Sequence, residues 1–418
     1  MPDFPSSVIP KAAIAFLLSV LLVLFWYYRQ ALTPAYNRQP LALGIAFFLL
    51  RIVPFIGLYI VLGYAARSDV PMFFEASKEA LEMKVVYRDF DSAYSPLFAY
   101  LTALPLLIWY SPEAITLLLI LLEGLTLALT FRYYRSLPGP ADEPFQKAIL
   151  YLLLPISMVL SVLSGQEDEL MWLFGVWALM AWRHRQDDLS VGLVLGLGMV
   201  VTKAILVLTL IPVFFLVRNQ LRYVAGLLLV GLPALAIMYG LVGLEFLEPV
   251  QQANDPRTPN IWTVLRPLLG SVIPLGQKSL NWVGLASILA FGCYVAYRNR
   301  PRFEAGFVTL WVSTYAFMMI VQQSSLANYA YIYVMPMLFG VVALTSRNQL
   351  LFLLLFNVAV VVQPPLWWSM DMPLFSSLSD LTTAKAVAEY VLEVVIVGCL
   401  IWLLAIQFKA ARLIGMSK

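Results

Sequence analysis

The run LALGIAFFLLRIVPFIGLYIVL, residues 41–62, decides the fold class. As a helix it is long enough to cross a hydrocarbon core of about 30 Å. It carries one charged residue, Arg51. A backbone in lipid must satisfy its own polar groups, so such a run reads as a helix. The stretch just beyond it is of another kind: RSDVPMFFEASKEALEMKVVYRDFDSAYSPL, residues 67–97. A connection of roughly thirty residues, loaded with carboxylates, exceeds what joining two spans requires.

Outward from this pair, apolar runs recur along the whole chain, at 10–28, 94–110, 113–131, 147–163, 169–183, 189–202, 204–217, 222–243, 281–297, 304–321, 326–345, 349–363 and 386–408. The chain has 418 residues, 61% hydrophobic and 12% charged. Soluble domains carry about 25% charged residues. The expected fold is therefore all-α: a polytopic transmembrane helix bundle of roughly 12–14 spans. It reads as a single transmembrane domain, 1–418, with outer loops at 63–96 and 244–280. The pair 189–202 and 204–217 reads either as two short helices or as one broken near Lys203.

Basic residues fall at span ends: Arg29/Arg38, Arg132/Arg135, Arg183/Arg185, Arg218/Arg222, Arg298/Arg300/Arg302, Arg347 and Lys409/Arg412. Placing them on the cytoplasmic side puts 63–93, 164–168, 244–280, 322–328 and 364–385 on the outer face. This creates a parity problem, because two apolar segments lie between loop 63–93 and the basic loop at 132–147. Pro96 and Pro105 interrupt 94–110, so that segment is expected to lie in or re-enter the outer leaflet.

Composition excludes several classes. A net charge of +3 argues against nucleic acid as a partner. Cys293 and Cys399 sit inside apolar runs and read as buried thiols. His184 lies in the basic Arg183-His184-Arg185 cluster, without the companions a zinc site needs. The N-terminus lacks a basic leader, and 10–28 reads as a retained helix. No Asn-x-Ser/Thr acceptor occurs, which favours a bacterial or archaeal inner membrane over a eukaryotic secretory one.

Chemistry is concentrated at the outer ends. Asp69 comes directly after a span, where a carboxylate can serve as a general base toward a hydroxyl. Its plainer reading is a cap on the short helix that begins with Pro71. Glu75, Lys78, Glu79 and Glu82 form the wet face of that helix, with Lys78 able to pair with Glu82. Arg88 could hold a lipid phosphate, or simply be solvated. Gln166-Glu167-Asp168-Glu169 offers more acceptors than a helix cap needs, and capping competes with binding a sugar hydroxyl or cation. Lys203 lies between two apolar runs, where a lysine is costly and marks a functional site. Arg51 and Glu123 fall inside spans, either as a pair or as phosphate ligands. Asn260 and Tyr329 add an amide and an aromatic ring at the outer face, where aromatic belts also occur.

In order and spacing, these pieces resemble the polyprenol-linked glycosyltransferases of the integral-membrane superfamily C. The likeness extends to the GPI first-mannose mannosyltransferase and its bacterial relatives. It rests on Asp69, a helix, and Tyr94-Ser95-Pro96-Leu97. Pro155 comes next, then Ser164-Gly165-Gln166-Glu167-Asp168, then Thr202-Lys203, and late in the chain Tyr329-Ala330-Tyr331 and Pro336. The departure is at Arg67, which stands where eukaryotic members carry the first of two aspartates. The resemblance implies a hexosyltransferase that moves a sugar, mannose by likeness, from a polyprenyl-phosphate-sugar donor to a glycolipid or glycan acceptor, with inversion. It implies Asp69 as base in a catalytic loop at 63–96. Lys203, Arg88 and Arg67 would meet the donor phosphate. Gln166, Glu167, Asp168, Tyr94, Asn260 and Tyr329 would contact substrate. No cofactor is expected; a divalent metal is compatible but not required, and no residue is assigned to one. The rival class is a transporter or flippase for lipid-linked sugar, which would place its charges along a path between both faces.

Overall fold

The computed structural model describes residues 8–247 and 255–415. Residues 1–7 and Asn254 of the second outer loop lie outside them. The described chain is helical nearly throughout: α1 (Val8–Leu32), α2 (Tyr36–Val61), α3 (Val70–Leu81), α4 (Phe98–Leu107), α5 (Pro112–Arg135), α6 (Glu143–Leu153), α7 (Pro155–Leu163), α8 (Leu170–Arg185), α9 (Asp188–Val201), α10 (Ala204–Leu216), α11 (Gln220–Val242), α12 (Ile261–Leu269), α13 (Lys278–Asn299), α14 (Phe303–Val321), α15 (Val334–Gly340), α16 (Arg347–Trp368) and α17 (Ala384–Gly415). Eight of these are individually long and apolar enough to cross a membrane, and the bent pair α6–α7 makes a ninth. The protein is an all-α polytopic membrane bundle. The remaining apolar runs of the sequence are shorter helices packed among the long ones.

Side-chain contacts sort the helix ends into two faces. At the basic face, Arg135 donates to the Tyr36 carbonyl at 3.1 Å, and Arg183 pairs with Glu304 at 2.9 Å. Trp26 reaches the Leu344 carbonyl, and Arg222 pairs with Asp187. At the opposite face, Lys11 reaches Ser164 and the Ala66 amide donates to Glu113. The Arg257 amide donates to the Gln323 carbonyl there. The cationic span ends thus share one surface, and the long loops share the other.

Segment 94–110 does not cross. Ser95 begins it against Thr202 on the loop face, and Glu113 just beyond it binds Ala66 on the same face. Between them α4 is short, and Leu107 and Ile108 at its tip are 72% and 94% exposed. This resolves the parity of the spans without reversing the basic loop at 132–147.

Two interior features shape the bundle. In α2 the turns at Phe48–Ile52 and Ile56–Val61 widen to π geometry around Pro54, which has no N–H to give. There Arg51 turns inward and holds Glu123 with two hydrogen bonds of 2.8 and 3.0 Å. Ser157 and the Leu152 carbonyl accept from the same guanidinium, and Ser161 donates to Glu123 at 2.6 Å. The two in-span charges are therefore a structural pair. Farther along, α9 crosses α11 glycine on glycine. A methyl at Gly192 would overlap the Tyr223 carbonyl oxygen, and one at Gly226 the Leu189 carbonyl oxygen.

Candidate active site

The helix α9 stops at Thr202, and Lys203 takes an extended conformation before α10 begins. A helix that breaks within apolar surroundings strands carbonyl groups. Here the first outer loop supplies donors: the Ser95 amide donates to the Thr202 carbonyl and the Leu97 amide to the Val200 carbonyl, each at 3.2 Å. The Tyr94-Ser95-Pro96-Leu97 turn is therefore the clamp that joins the loop to the lysine break.

Lys203 projects from the break into a cluster of opposite charge. Its ammonium lies 2.6 Å from Asp168 Oδ1 and also pairs with Glu167. The ring centroids of Tyr94 and Tyr329 lie 5.0 and 5.6 Å from it, close enough for cation–π attraction. Tyr94 is held by stacking on Phe98 and by an edge contact with Phe73 of α3. One ammonium faces two buried carboxylates. Burial accordingly pushes the Glu167 carboxyl up to about 7; Lys203 pulls it down, and Asp168 and Asp69 add to the rise. Burial raises Asp168 as well, against the same pull from Lys203.

Asp69 stands at the cap position of α3, but its carboxylate makes no capping bond. Gln166 Nε2 donates to Asp69 Oδ2 at 2.8 Å and reaches Ser68 Oγ at 3.2 Å. Asn328 Nδ2 donates to Gln166 Oε1 at 2.7 Å, which fixes which end of that amide faces the aspartate. The loop carrying Gln166 comes close because Gly165 adopts φ +54°, and a methyl there would overlap Val70. Ser68 is likewise left-handed, at φ +59°. Three distant segments thus converge on one half-buried carboxylate beside the Lys203 cluster.

The expected residues divide. Asp69, Gln166, Glu167, Asp168, Lys203, Tyr94 and Tyr329 come together. The 166–169 run does not cap α8, whose cap position makes no side-chain bond. Asn260 is spent elsewhere: it caps α12 through the Trp262 and Thr263 amides and donates to the Arg257 carbonyl. Arg88 is exposed and forms a two-pronged pair with Asp89, which holds the Asp89 carboxyl down at about 2. Arg67 is exposed and acts on Tyr59 of α2. On α3, Lys78 pairs with Glu75 at 2.5 Å rather than with Glu82, which Lys84 takes.

Three contributors are absent from the expected set. Asn328 orients Gln166. Lys11 of α1 reaches Ser164 Oγ at 3.4 Å, bringing a second ammonium to the same loop. Glu169 is buried and acts on Tyr151 and Tyr331. Lysine in the first turn of an apolar helix was the available signal for Lys11, and Glu169 belongs to the 166–169 run already singled out; the role of Asn328 depends on a long-range partner. No cluster of three or more His, Cys, Asp or Glu fit for a metal occurs among the described residues. No family model, curated protein or solved structure matches the chain.

Proposed function

We propose that the chain is a glycosyltransferase that takes a hexose from a polyprenyl-phosphate-sugar and passes it to a lipid- or glycan-linked hydroxyl at the loop face. The observation that carries this reading is the Asp69 carboxylate, uncapped and held by Gln166 next to a lysine–carboxylate cluster. In the proposed step Asp69 takes the proton of the acceptor hydroxyl. The acceptor oxygen attacks the anomeric carbon as the bond from that carbon to the phosphate oxygen breaks, so the configuration inverts. The polyprenyl phosphate leaves with both bonding electrons. Its charge is met by Lys203, left with Asp168 as its one anionic partner when Glu167 takes a proton, and by Lys11. Tyr94 and Tyr329 offer ring faces to the sugar. Mannose, and a site on the outer side of a bacterial or archaeal inner membrane, come from the family likeness.

The transporter reading has less support. Arg51 and Glu123, buried inside α2 and α5, are held by each other.

The test uses the full chain in membranes with a radiolabelled polyprenyl-phosphate-mannose and a lipid extract as acceptor. General-base catalysis contributes about 10²–10⁴-fold, so Asp69→Asn is expected to lose that much transfer while still inserting. Wild-type transfer by this variant would remove the assignment.

A further inference from the structure

At the loop face, a second set of buried carboxyls has no place in the proposed transfer. Glu389 and Glu393 stand one turn apart on α17 and are 0% and 2% exposed. Gln363 Nε2 of α16 donates to Glu389 Oε1 at 2.7 Å. Thr263 Oγ1 of α12 donates to Glu393 Oε2 at 2.6 Å, and the Thr258 hydroxyl lies at Glu393 as well. The two carboxyls also touch each other. Yet Glu389 Oε2 receives no donor, and the amide oxygen of the fully buried Gln363 has no partner.

The Arg51–Glu123 pair is the opposite case. There a guanidinium neutralises the buried carboxylate. Here no lysine, arginine or histidine among the described residues acts on either carboxyl. Lys385, one turn before Glu389 on α17, is exposed and acts on neither carboxyl, and Tyr390 spends its hydroxyl on the Val264 carbonyl. On α12, Arg266 acts on neither glutamate, and α14 carries its one charged residue, Glu304, at the basic face. Buried charge without a counter-charge is not stable. A proton shared across the carboxyl contact removes one negative charge and leaves one, with two buried acceptor oxygens, Glu389 Oε2 and Gln363 Oε1, still without a donor.

We propose that Glu389, Glu393, Gln363, Thr263 and Thr258 form a binding site for one monovalent metal cation, sodium by charge and oxygen ligation. A second proton competes for the site. The ion ties the second outer loop, through the first turn of α12, to the C-terminal helix.

The experiment monitors thermal unfolding of the full-length protein in detergent. Sodium chloride is compared with choline chloride at equal ionic strength, at pH 6 and pH 8. Above its dissociation constant, each tenfold rise in sodium is expected to raise Tm by about 1.5 °C for a chain of this size. The rise should be larger at pH 8, where protons compete less, and absent in Glu393→Gln. If that variant does not fold, Gln363→Leu removes the free oxygen without changing charge and should also lose the shift. Equal Tm values in the two salts at both pH values would overturn the proposal. So would stabilisation by calcium chloride with none by sodium.

Discussion

Lys203 is held by what surrounds it as much as it serves it. Replacing it with methionine leaves Glu167 and Asp168 buried without a counter-charge. Loss of one partner from a buried pair costs about 3–5 kcal/mol, so Lys203→Met should unfold at markedly lower temperature than wild type. Lys203→Met combined with Glu167→Gln and Asp168→Asn should recover most of the loss in the same melt. Glu167 also sets a pH dependence. Its folded value near 7 lies above the ordinary carboxyl value of 4.5, so between those limits the folded state binds more protons than the unfolded one. Stability from this group is therefore greatest at the acid end and declines as pH rises toward 7. Glu167→Gln should flatten that slope in denaturant melts taken from pH 5 to 8. Under the proposed mechanism, transfer should fall as pH rises through about 7, and the variant should move that limb. Several of these residues were legible in the sequence because each violates its surroundings: a lysine between apolar runs, three carboxylates beside lipid, an aspartate directly after a span. The partner of Asn328 was not legible, and Lys11 showed only as a lysine in the first turn of an apolar helix, because their roles are set by partners 162 and 153 residues away.

The elements explain how loops come to be placed with side-chain accuracy. The first outer loop is fastened at three points: Ala66 on Glu113, Ser68-Asp69 on Gln166, and Ser95 on Thr202. Gly165, next to Gln166, is where the second of these junctions is tightly packed. Gly165→Ala is both strained by its positive φ and blocked by Val70. Overpacking of this kind costs about 1–3 kcal/mol, and the displacement falls on Gln166. The expected result is a larger loss of transfer than of thermal stability, read by assaying both on one preparation. The break at Thr202-Lys203 could be narrowed from sequence to two alternatives, and it divides two short helices. The π turns of α2 were not legible. Their cause is the pull of Glu123 on Arg51 combined with Pro54, and the first of these depends on a partner from a different helix.

For the whole molecule, the basic clusters predicted which helix ends share a surface, and the contacts at Tyr36, Glu304 and Asp187 agree. The arrangement makes a topological prediction. In a background with Cys293 and Cys399 replaced by serine, a cysteine at Ser92 and one at Arg347 should be labelled from opposite sides of sealed vesicles by an impermeant thiol reagent. Labelling of both from one side would reject the two-face division. The number of helices long enough to span was harder to read than their order. Hydropathy measures apolar length, whereas α4, α9 and α10 are cut short by backbone breaks that only their partners stabilise.

The non-crossing segment at 94–110 has a mechanical consequence. Its tip presents Leu107 and Ile108 as exposed apolar surface near the loop face, where in a bilayer it would lie among the acyl chains of that leaflet. Apolar surface inserted on one side in this way acts as a wedge. A wedge relieves packing stress where the bilayer bulges on that side, so this protein should favour membrane regions of matching curvature over flat ones.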